Sequence, residues 1–212
     1  NFLALIGWSL DDKTELLTRQ ELVDNFSLER IGKTGALFDR QKLDWMNGIY
    51  IRGLSQEDFT QRALPFLESG LPVKVKRPLS TEYIGQMLPL IQERAKTLAE
   101  VPDLVGFFFV DESDYEADSL IGKNMTAQSA IRALEVSEQR LEGLANFDTE
   151  TLENLLRPLA EELELKTGQL FGTLRVATTG RTAAPPLFQT MTVLGKEVCL
   201  RRIKVALAKL DK

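Results

Sequence analysis

The sequence predicts an all-α protein, and three observations support that prediction. Apolar residues recur at helical spacing along most of the 212-residue chain. Residues that favour helix N-caps precede these stretches, and glycine or proline follows several of them. Alternating runs of β-branched residues are scarce, and residues 73–76 offer the only candidate strand in the sequence. Helices packed on helices therefore account for the pattern better than a sheet does.

The first half of the chain contains four predicted helix starts. Each combines a cap residue with an apolar stripe behind it, and the residues at these starts are Thr18, Asp39, Ser55 and Thr81. The third helix is predicted to end at Gly70 and to bury Phe59, Ala63, Phe66 and Leu67. Pro89 lies inside the fourth apolar pattern, so it should kink or split that helix.

The second half is predicted to be helical as well. Thr126 begins one helix, and Asp148 or Thr149 caps a longer one whose leucines share a face. Residues 166–177 form a further predicted helix, followed by a rigid, proline-containing turn at residues 182–186. Residues 193–210 are predicted to form a terminal basic helix.

Composition excludes several classes of function. Hydrophobic residues make up 43% of the chain and charged residues 27%, as in ordinary globular proteins. No apolar run approaches the roughly 18 residues of a membrane span, so no membrane partner is predicted. The absence of histidine and the single cysteine, Cys199, exclude a zinc site, an internal disulfide and a Ser/His/Asp triad. No phosphate-binding loop fingerprint occurs either, so we expect no catalytic residues, metal or cofactor in this chain, and a cytoplasmic location.

The charge of the chain is unevenly distributed. A formal net charge of −5 argues against indiscriminate binding of DNA or other nucleic acids. Residues 164–212, however, contain nine basic and three acidic residues. A basic end on an acidic body would suit a protein that docks this end onto a polyanion, although ordinary solvated helix faces would give the same pattern.

Two arginines lie beside backbone that is predicted to be rigid. Arg175 precedes Gly180 near the end of a predicted helix, and Arg181 directly precedes the turn at 182–186. A guanidinium held beside a fixed backbone can stack on an unpaired base and hydrogen-bond to its edge, as recognition of single-stranded RNA requires. The alternative is a favourable cation at a helix C-terminus followed by an ordinary loop.

Three segments, in this order, carry a family signature. Residues 1–9 read NFLALIGWS, residues 38–52 read FDRQKLDWMNGIYIR, and residues 166–180 read KTGQLFGTLRVATTG. Pro185-Pro186-Leu187-Phe188 and Leu194-Gly195-Lys196-Glu197 extend the third segment. The segments resemble those of the bacterial glutamyl-tRNA synthetases, and the resemblance spans the whole chain.

The resemblance implies the C-terminal, α-helical anticodon-binding part of a class I aminoacyl-tRNA synthetase. The catalytic domain of that family attaches glutamate to tRNA(Glu) using ATP and Mg, and its HIGH and KMSK-type signatures do not occur in these residues. Because the chain also begins at Asn1 inside an apolar segment, we expect a non-catalytic fragment of a longer, monomeric protein. The implied organisation is the end of a stem-contact region in residues 1–53, a first anticodon-binding helical bundle in 54–123 and a second in 124–212.

The resemblance also assigns tRNA contacts to individual residues. Lys42 and Trp45 match the segment that meets the inner side of the tRNA stem. Arg94 matches the arginine that reads the third anticodon base in many family members. That base is C in glutamate anticodons and G in glutamine anticodons, and a guanidinium can donate to O2 or N3 of cytosine.

Further matches fall in the second bundle. Arg175 is expected to contact the first anticodon base, while Pro185 and Leu187 are expected to supply backbone groups and apolar surface for unstacked bases. Taken together, the anticodon-binding residues implied by the resemblance are Arg94, Arg157, Arg175, Ala184, Pro185 and Leu187. Basic surface elsewhere would position the phosphates without reading sequence.

Two alternative interpretations remain at this point. One is a helical protein–protein adaptor whose basic C-terminal face binds an acidic partner, which predicts no salt-dependent affinity for RNA. The other is a relaxed synthetase that charges both tRNA(Glu) and tRNA(Gln), and the distinction depends on Arg94, since relaxed family members often have Gln or another residue there. A complete small enzyme is disfavoured by the lack of histidine and of a phosphate-binding loop.

Overall fold

The computed structural model describes residues 1–211 except 33, 34, 36, 112 and 113, and every regular element in those ranges is helical. The α-helices are α1 Phe2–Leu5, α2 Arg19–Asn25, α3 Arg40–Arg52, α4 Gln56–Gly70, α5 Thr81–Met87, α6 Pro89–Gln92, α7 Val101–Val105, α8 Ala127–Glu142, α9 Thr149–Glu162, α10 Thr167–Thr179, α11 Leu187–Leu194 and α12 Lys196–Leu210. Short 3₁₀ turns occupy Leu28–Arg30, Leu98–Glu100, Gly106–Phe109 and Ala117–Leu120. The all-α prediction is confirmed. No helix in the described ranges has both the length and the apolar character that crossing a membrane would need.

Most predicted caps begin the predicted helices; the exception is α5, which begins at Thr81 but is capped by Ser80. Thr18 and Glu21 form both bonds of a capping box at the start of α2. Side-chain oxygens of Asp39, Ser55, Thr126 and Asp148 accept backbone N–H groups in the first turns of α3, α4, α8 and α9. These short polar side chains satisfy amides that a helix leaves unpaired, which is why local sequence locates helix starts well.

Proline and glycine divide two of the predicted helices. Pro89 separates α5 from α6, as expected, because it is the first residue of α6 and donates no backbone hydrogen bond to α5. The prediction of one helix over residues 193–210 is wrong: Gly195 ends α11 and precedes α12 with a φ of 82°. An L-residue with a side chain rarely adopts this backbone conformation, and it breaks the helical path between the two elements.

The structure also decides two local details. The candidate strand at residues 73–76 does not form: these residues make a turn, with Val73 almost fully exposed and Val75 buried. Phe66 is more than one third exposed, whereas Phe59, Ala63 and Leu67 on the same helix are buried as predicted. Sequence spacing locates the apolar face of α4 but not its edge, because the neighbouring elements decide where that edge lies.

The helices pack in two groups around one continuous core. In the first group, α4 packs on α5 and α7, and α6 packs on both of these neighbours. In the second, α8, α10 and α12 pack together, with α9 and α11 alongside, and α11 also contacts α5 of the first group. Core residues run from Ile51 to Ala206, and Phe107 and Phe108 are among them. The domain boundaries at 53 and 123 stay a prediction.

Residues 1–50 lie outside that core. They bury Trp8, Leu17 and Met46, but ten of the twelve large apolar side chains that are exposed in the described residues belong to this segment. Within this segment, an ion pair between Lys42 and Glu15 and side-chain hydrogen bonds hold residues 1–17 to α3, including a bond of 2.8 Å from the Tyr50 hydroxyl to Asn1 Oδ1.

Arg77 holds the turn after α4. Its guanidinium donates to the carbonyl oxygens of Glu68, Leu71 and Val75 at 3.0, 3.0 and 2.8 Å. Two of these carbonyls belong to the end of α4, where a helix leaves acceptors unpaired. One side chain therefore closes the helix and shapes the turn that follows it.

Arg77→Ala is expected to lower the free energy of unfolding by about 1–3 kcal/mol, because several partly buried carbonyls lose their donor. Urea denaturation followed by helical circular dichroism measures this. Arg62→Ala, on the exposed side of α4, is the matched control and should change stability by no more than about 0.5 kcal/mol. Equal stability of the two variants would show that Arg77 is not needed to close the turn.

Candidate nucleic-acid interface

Arg175 occupies a half-buried position on α10 without a charged partner. Its Nε is buried and donates to no described residue, and no described carboxylate forms an ion pair with it. Burial lowers the pKa of the Arg175 guanidinium, and the positive charge of Arg94 lowers this pKa further. A desolvated cation with unused donors is characteristic of a site that binds something outside the protein.

Arg94 reaches this site from the first group of helices. It lies in the turn between α6 and the 3₁₀ turn at Leu98–Glu100, and its side chain is exposed. The positive charge of Arg94 contributes to the lowered pKa of Arg175, so the fold places these two predicted anticodon-binding residues, which are far apart in the sequence, within electrostatic range of each other. Neither forms an ion pair with a described carboxylate, so both add positive potential to this part of the surface.

Gln92 has a different role from Arg94 although it is only two residues away. Gln92 is buried, and its Nε2 donates to the carbonyl oxygens of Ile51 and Leu54 at 3.0 and 2.9 Å. Its amide nitrogen is thus committed to the end of α3 and the residues after it. On this surface it is Arg94, not Gln92, that presents a free side chain to a ligand.

In the turn after α10, the side chains of the predicted anticodon-binding residues are buried, so the turn can present only backbone groups of these residues to a ligand. Gly180 ends α10 in the left-handed conformation with φ 74°, and α11 begins at Leu187. Ala184, Pro185 and Leu187 are all buried, so the expected apolar surface from Pro185 and Leu187 is not available to a base in this structure. These side chains instead anchor the turn in the core, because burial of apolar area holds the backbone in place.

Arg181 and Arg157 lie over aromatic rings. The Arg181 guanidinium carbon is 5.5 Å from the ring centre of Phe107, and that of Arg157 is 5.9 Å from the ring centre of Phe171. Arg157 also pairs with Glu153 one turn earlier on α9, at 2.6 Å. Arg157 is exposed, so a nucleic-acid phosphate could replace this ion pair, since exposed pairs of this kind contribute little.

The predicted stem-contact residues lie on α3. Lys42 forms an ion pair with Glu15 at 2.6 Å, and Trp45 is nearly half exposed. Trp45 lines a shallow groove with two cations that sequence reasoning missed, Arg52 and Lys96. Arg52 follows Trp45 by two helical turns, so its place on the same face of α3 could have been predicted from that spacing. Lys96 lies in the turn that carries Arg94, and no pattern in the sequence around it indicates that it lines this groove.

The terminal helix is a weaker candidate for polyanion binding than its composition indicates. Arg201 and Lys204 form ion pairs with Asp111 and Glu138, at 3.2 and 3.4 Å. Lys196 and Lys209 donate to backbone carbonyls, and Arg202 is buried. Within the basic residues 164–212, these cations of α12 therefore bind groups within the protein, whereas Arg175 forms no described ion pair.

Comparison with known proteins gives a consistent result. Residues 58–207 match the family model described as the anticodon binding domain. The chain is 51% identical over 211 residues to the glutamate–tRNA ligase of Dehalococcoides mccartyi strain CBDB1, covering 100% of this chain and 43% of that relative. It is 47% identical over 211 residues to the glutamate–tRNA ligase of Roseiflexus castenholzii, covering 99% of this chain and 42% of the relative. The chain thus spans less than half the length of the curated relatives it matches.

A solved structure shows the same architecture. The crystal structure of a glutamate tRNA ligase from Elizabethkingia meningosepticum, in complex with its amino acid, superposes with a TM-score of 0.80 at 25% identity. The superposition covers 99% of this chain and 40% of that one. These matches support the anticodon-binding prediction and give no support to the adaptor alternative.

Proposed function

Because the chain belongs to the anticodon-binding domain family and corresponds to that part of glutamate–tRNA ligases, we propose that it binds tRNA(Glu) and reads its anticodon. The observation that supports this most directly is Arg175, a half-buried arginine whose Nε has no described hydrogen-bond partner and which forms no described ion pair. Burial and the positive charge of Arg94 lower its pKa, so the unpaired cation costs stability, and a bound RNA would reduce that cost by supplying acceptors. The same charges attract the phosphates that flank an anticodon.

Arg94 is the residue that we assign to the third anticodon base. A guanidinium is always charged and only donates, so it suits the O2 and N3 acceptors of cytosine. Guanine presents N–H donors on its Watson–Crick edge, and these would oppose the donors of Arg94. A preference for tRNA(Glu) over tRNA(Gln) follows from this difference, which favours a discriminating ligase over a relaxed one.

The other predicted residues fit around this centre. Arg175 would reach the first anticodon base, and the backbone of Ala184, Pro185 and Leu187 would lie beside the unstacked bases, held in place by their buried side chains. Arg157 would exchange its pairing with Glu153 for a contact to RNA. Lys42 and Trp45 on α3 would meet the tRNA stem.

The chain itself is expected to bind rather than catalyse. In the whole protein, we expect a part outside this chain to bind ATP and Mg and to attach glutamate to tRNA(Glu). Anticodon binding here would orient the tRNA so that its acceptor end reaches that catalytic part. The whole protein would act as a monomer in the cytoplasm.

The test is equilibrium binding of tRNA(Glu) at two salt concentrations, against a variant tRNA whose third anticodon base is G. We expect the C form to bind more tightly by about 1–3 kcal/mol. Raising the salt should weaken both forms in parallel, because phosphate contacts carry no sequence information. Arg94→Gln should abolish the preference for C.

Arg62→Gln is the matched control, since Arg62 is an exposed arginine on α4 of the same helical group. It should leave the preference for C unchanged. Equal binding of the C and G forms by the unmodified chain would contradict discrimination at this base. No binding even at low salt would overturn the proposal that the chain binds tRNA.

A further inference from the structure

The turn that carries Arg94 is held by groups that contact its backbone. Its residues run from Glu93 to Thr97, between α6 and the 3₁₀ turn at Leu98–Glu100. Arg94 forms no ion pair with a described residue, so no partner fixes the end of its side chain. Its direction depends on where the backbone of the turn lies.

Helix α3 holds one side of this turn. The Asn47 side chain donates from Nδ2 to the carbonyl oxygen of Lys96. Gly48, the next residue, faces the same turn: a Cβ at that position would be in van der Waals contact with the carbonyl oxygen of Ala95, at 3.5 Å, and with the Cα of Lys96, at 3.7 Å. The turn therefore lies directly on the helix, with Ala95 fully buried beneath it.

The opposite side is held by Glu100. One of its carboxylate oxygens accepts the backbone N–H of Thr97 at 2.8 Å and also that of Lys96. Lys96 is thus held at both its N–H and its carbonyl, by side chains from two different elements. Gln92 adds a third connection, because it joins the start of the turn to the end of α3.

We infer that Asn47 and Glu100 are positioning residues for Arg94, and that they set its preference for the third anticodon base. The inference rests on the proposed function of Arg94. Discrimination between two base edges requires the guanidinium to be held within about half an ångström of the correct place. If the bonds to Lys96 were lost, the turn could shift and the Arg94 guanidinium could bind either C or G. The charge of Arg94 would still attract phosphates.

The connection also gives α3 a second role. The helix that carries Lys42 and Trp45, the residues assigned to the tRNA stem, is the one to which the Arg94 turn is fastened. Stem contact and anticodon reading are therefore joined by one short rigid path. The path consists of Asn47, Gly48 and the backbone of residues 95–96.

The experiment is a double-mutant cycle on the preference for C over G at the third anticodon base. Asn47→Ala should reduce the preference of the chain by about three- to tenfold, with little change in affinity for the G form. In the Arg94→Gln background the same substitution should change nothing, because Asn47 acts only through Arg94. Asn25→Ala, which removes a side-chain bond within α2, is the matched control and should leave the preference intact.

Glu100→Ala tests the same inference, because Glu100 also holds the turn at Lys96, and it should reduce the preference for C in the same way. It can replace Asn47→Ala if that variant does not fold. Amide hydrogen exchange at Lys96 and Thr97 should rise in either variant without RNA. An unchanged preference in both folded variants, or an equal loss of affinity for the C and G forms, would overturn the inference. If the unmodified chain shows no preference that depends on Arg94, the proposed function fails instead, so the two failures are distinguishable.

Discussion

Arg202→Ala is expected to lower the free energy of unfolding by about 3–5 kcal/mol, the largest stability effect that we predict for this chain. Arg202 lies on α12 and is only 2% exposed. Its Nη2 donates to the carbonyl oxygens of Phe107 and Val110 at 2.7 and 2.6 Å, and its Nη1 donates to that of Thr178. The substitution would leave buried carbonyls without donors and open a cavity between the two groups of helices.

Arg201→Ala is the control for this prediction, one residue away. Arg201 is half exposed and pairs with Asp111 at 3.2 Å, so its loss should cost no more than about 1 kcal/mol. Chemical denaturation of both variants, with thermal unfolding as a second measurement, gives the comparison. Similar stability losses for the two variants would show that Arg202 does not hold the helical groups together.

Arg175→Met is expected to weaken binding of tRNA(Glu) by about ten- to a hundredfold, corresponding to about 1–3 kcal/mol. Methionine keeps most of the apolar stem but removes the donors and the charge. Stability should stay unchanged or rise slightly, because the substitution removes a half-buried cation that Arg94 repels. Competition binding against labelled tRNA(Glu), together with a thermal unfolding curve, measures both effects.

Arg132→Met is the matched control, on the exposed side of α8 in the same group of helices. It should reduce affinity far less than Arg175→Met does. A large drop in the melting temperature of Arg175→Met, at unchanged affinity, would show that Arg175 has a structural role and not a binding role.

Arg202 and Arg175 show why sequence alone does not separate structural from binding residues. Both precede or follow apolar residues on amphipathic helices, and both are partly or fully desolvated. Both arginines have a buried Nε without a described partner, but the Nη atoms of Arg202 donate to three carbonyl oxygens from outside its own helix, whereas the side chain of Arg175 donates to no described residue. Only the positions of the surrounding backbone distinguish the two, and those positions are tertiary.

Residues 184–187 illustrate the same limit for apolar side chains. Their resemblance to anticodon-contacting positions led to the expectation that Pro185 and Leu187 would offer surface to a base, yet both are buried. A short apolar segment beside a turn has the same local pattern whether it faces a ligand or the core. The packing of α11 on α9 and α12 decides between them.

The helical class, most helix starts and the break at Pro89 could be predicted from the sequence, because capping bonds and proline geometry act within a few residues. Its resemblance to a known family also indicated which arginines to examine. Tertiary packing, by contrast, places Arg94 where its charge lowers the pKa of Arg175, bonds Gln92 and Arg202 to backbone carbonyls, and pairs cations of α12 with groups within the protein. These facts depend on contacts between residues far apart in the chain, and a side chain's role is set by the groups that folding brings to it.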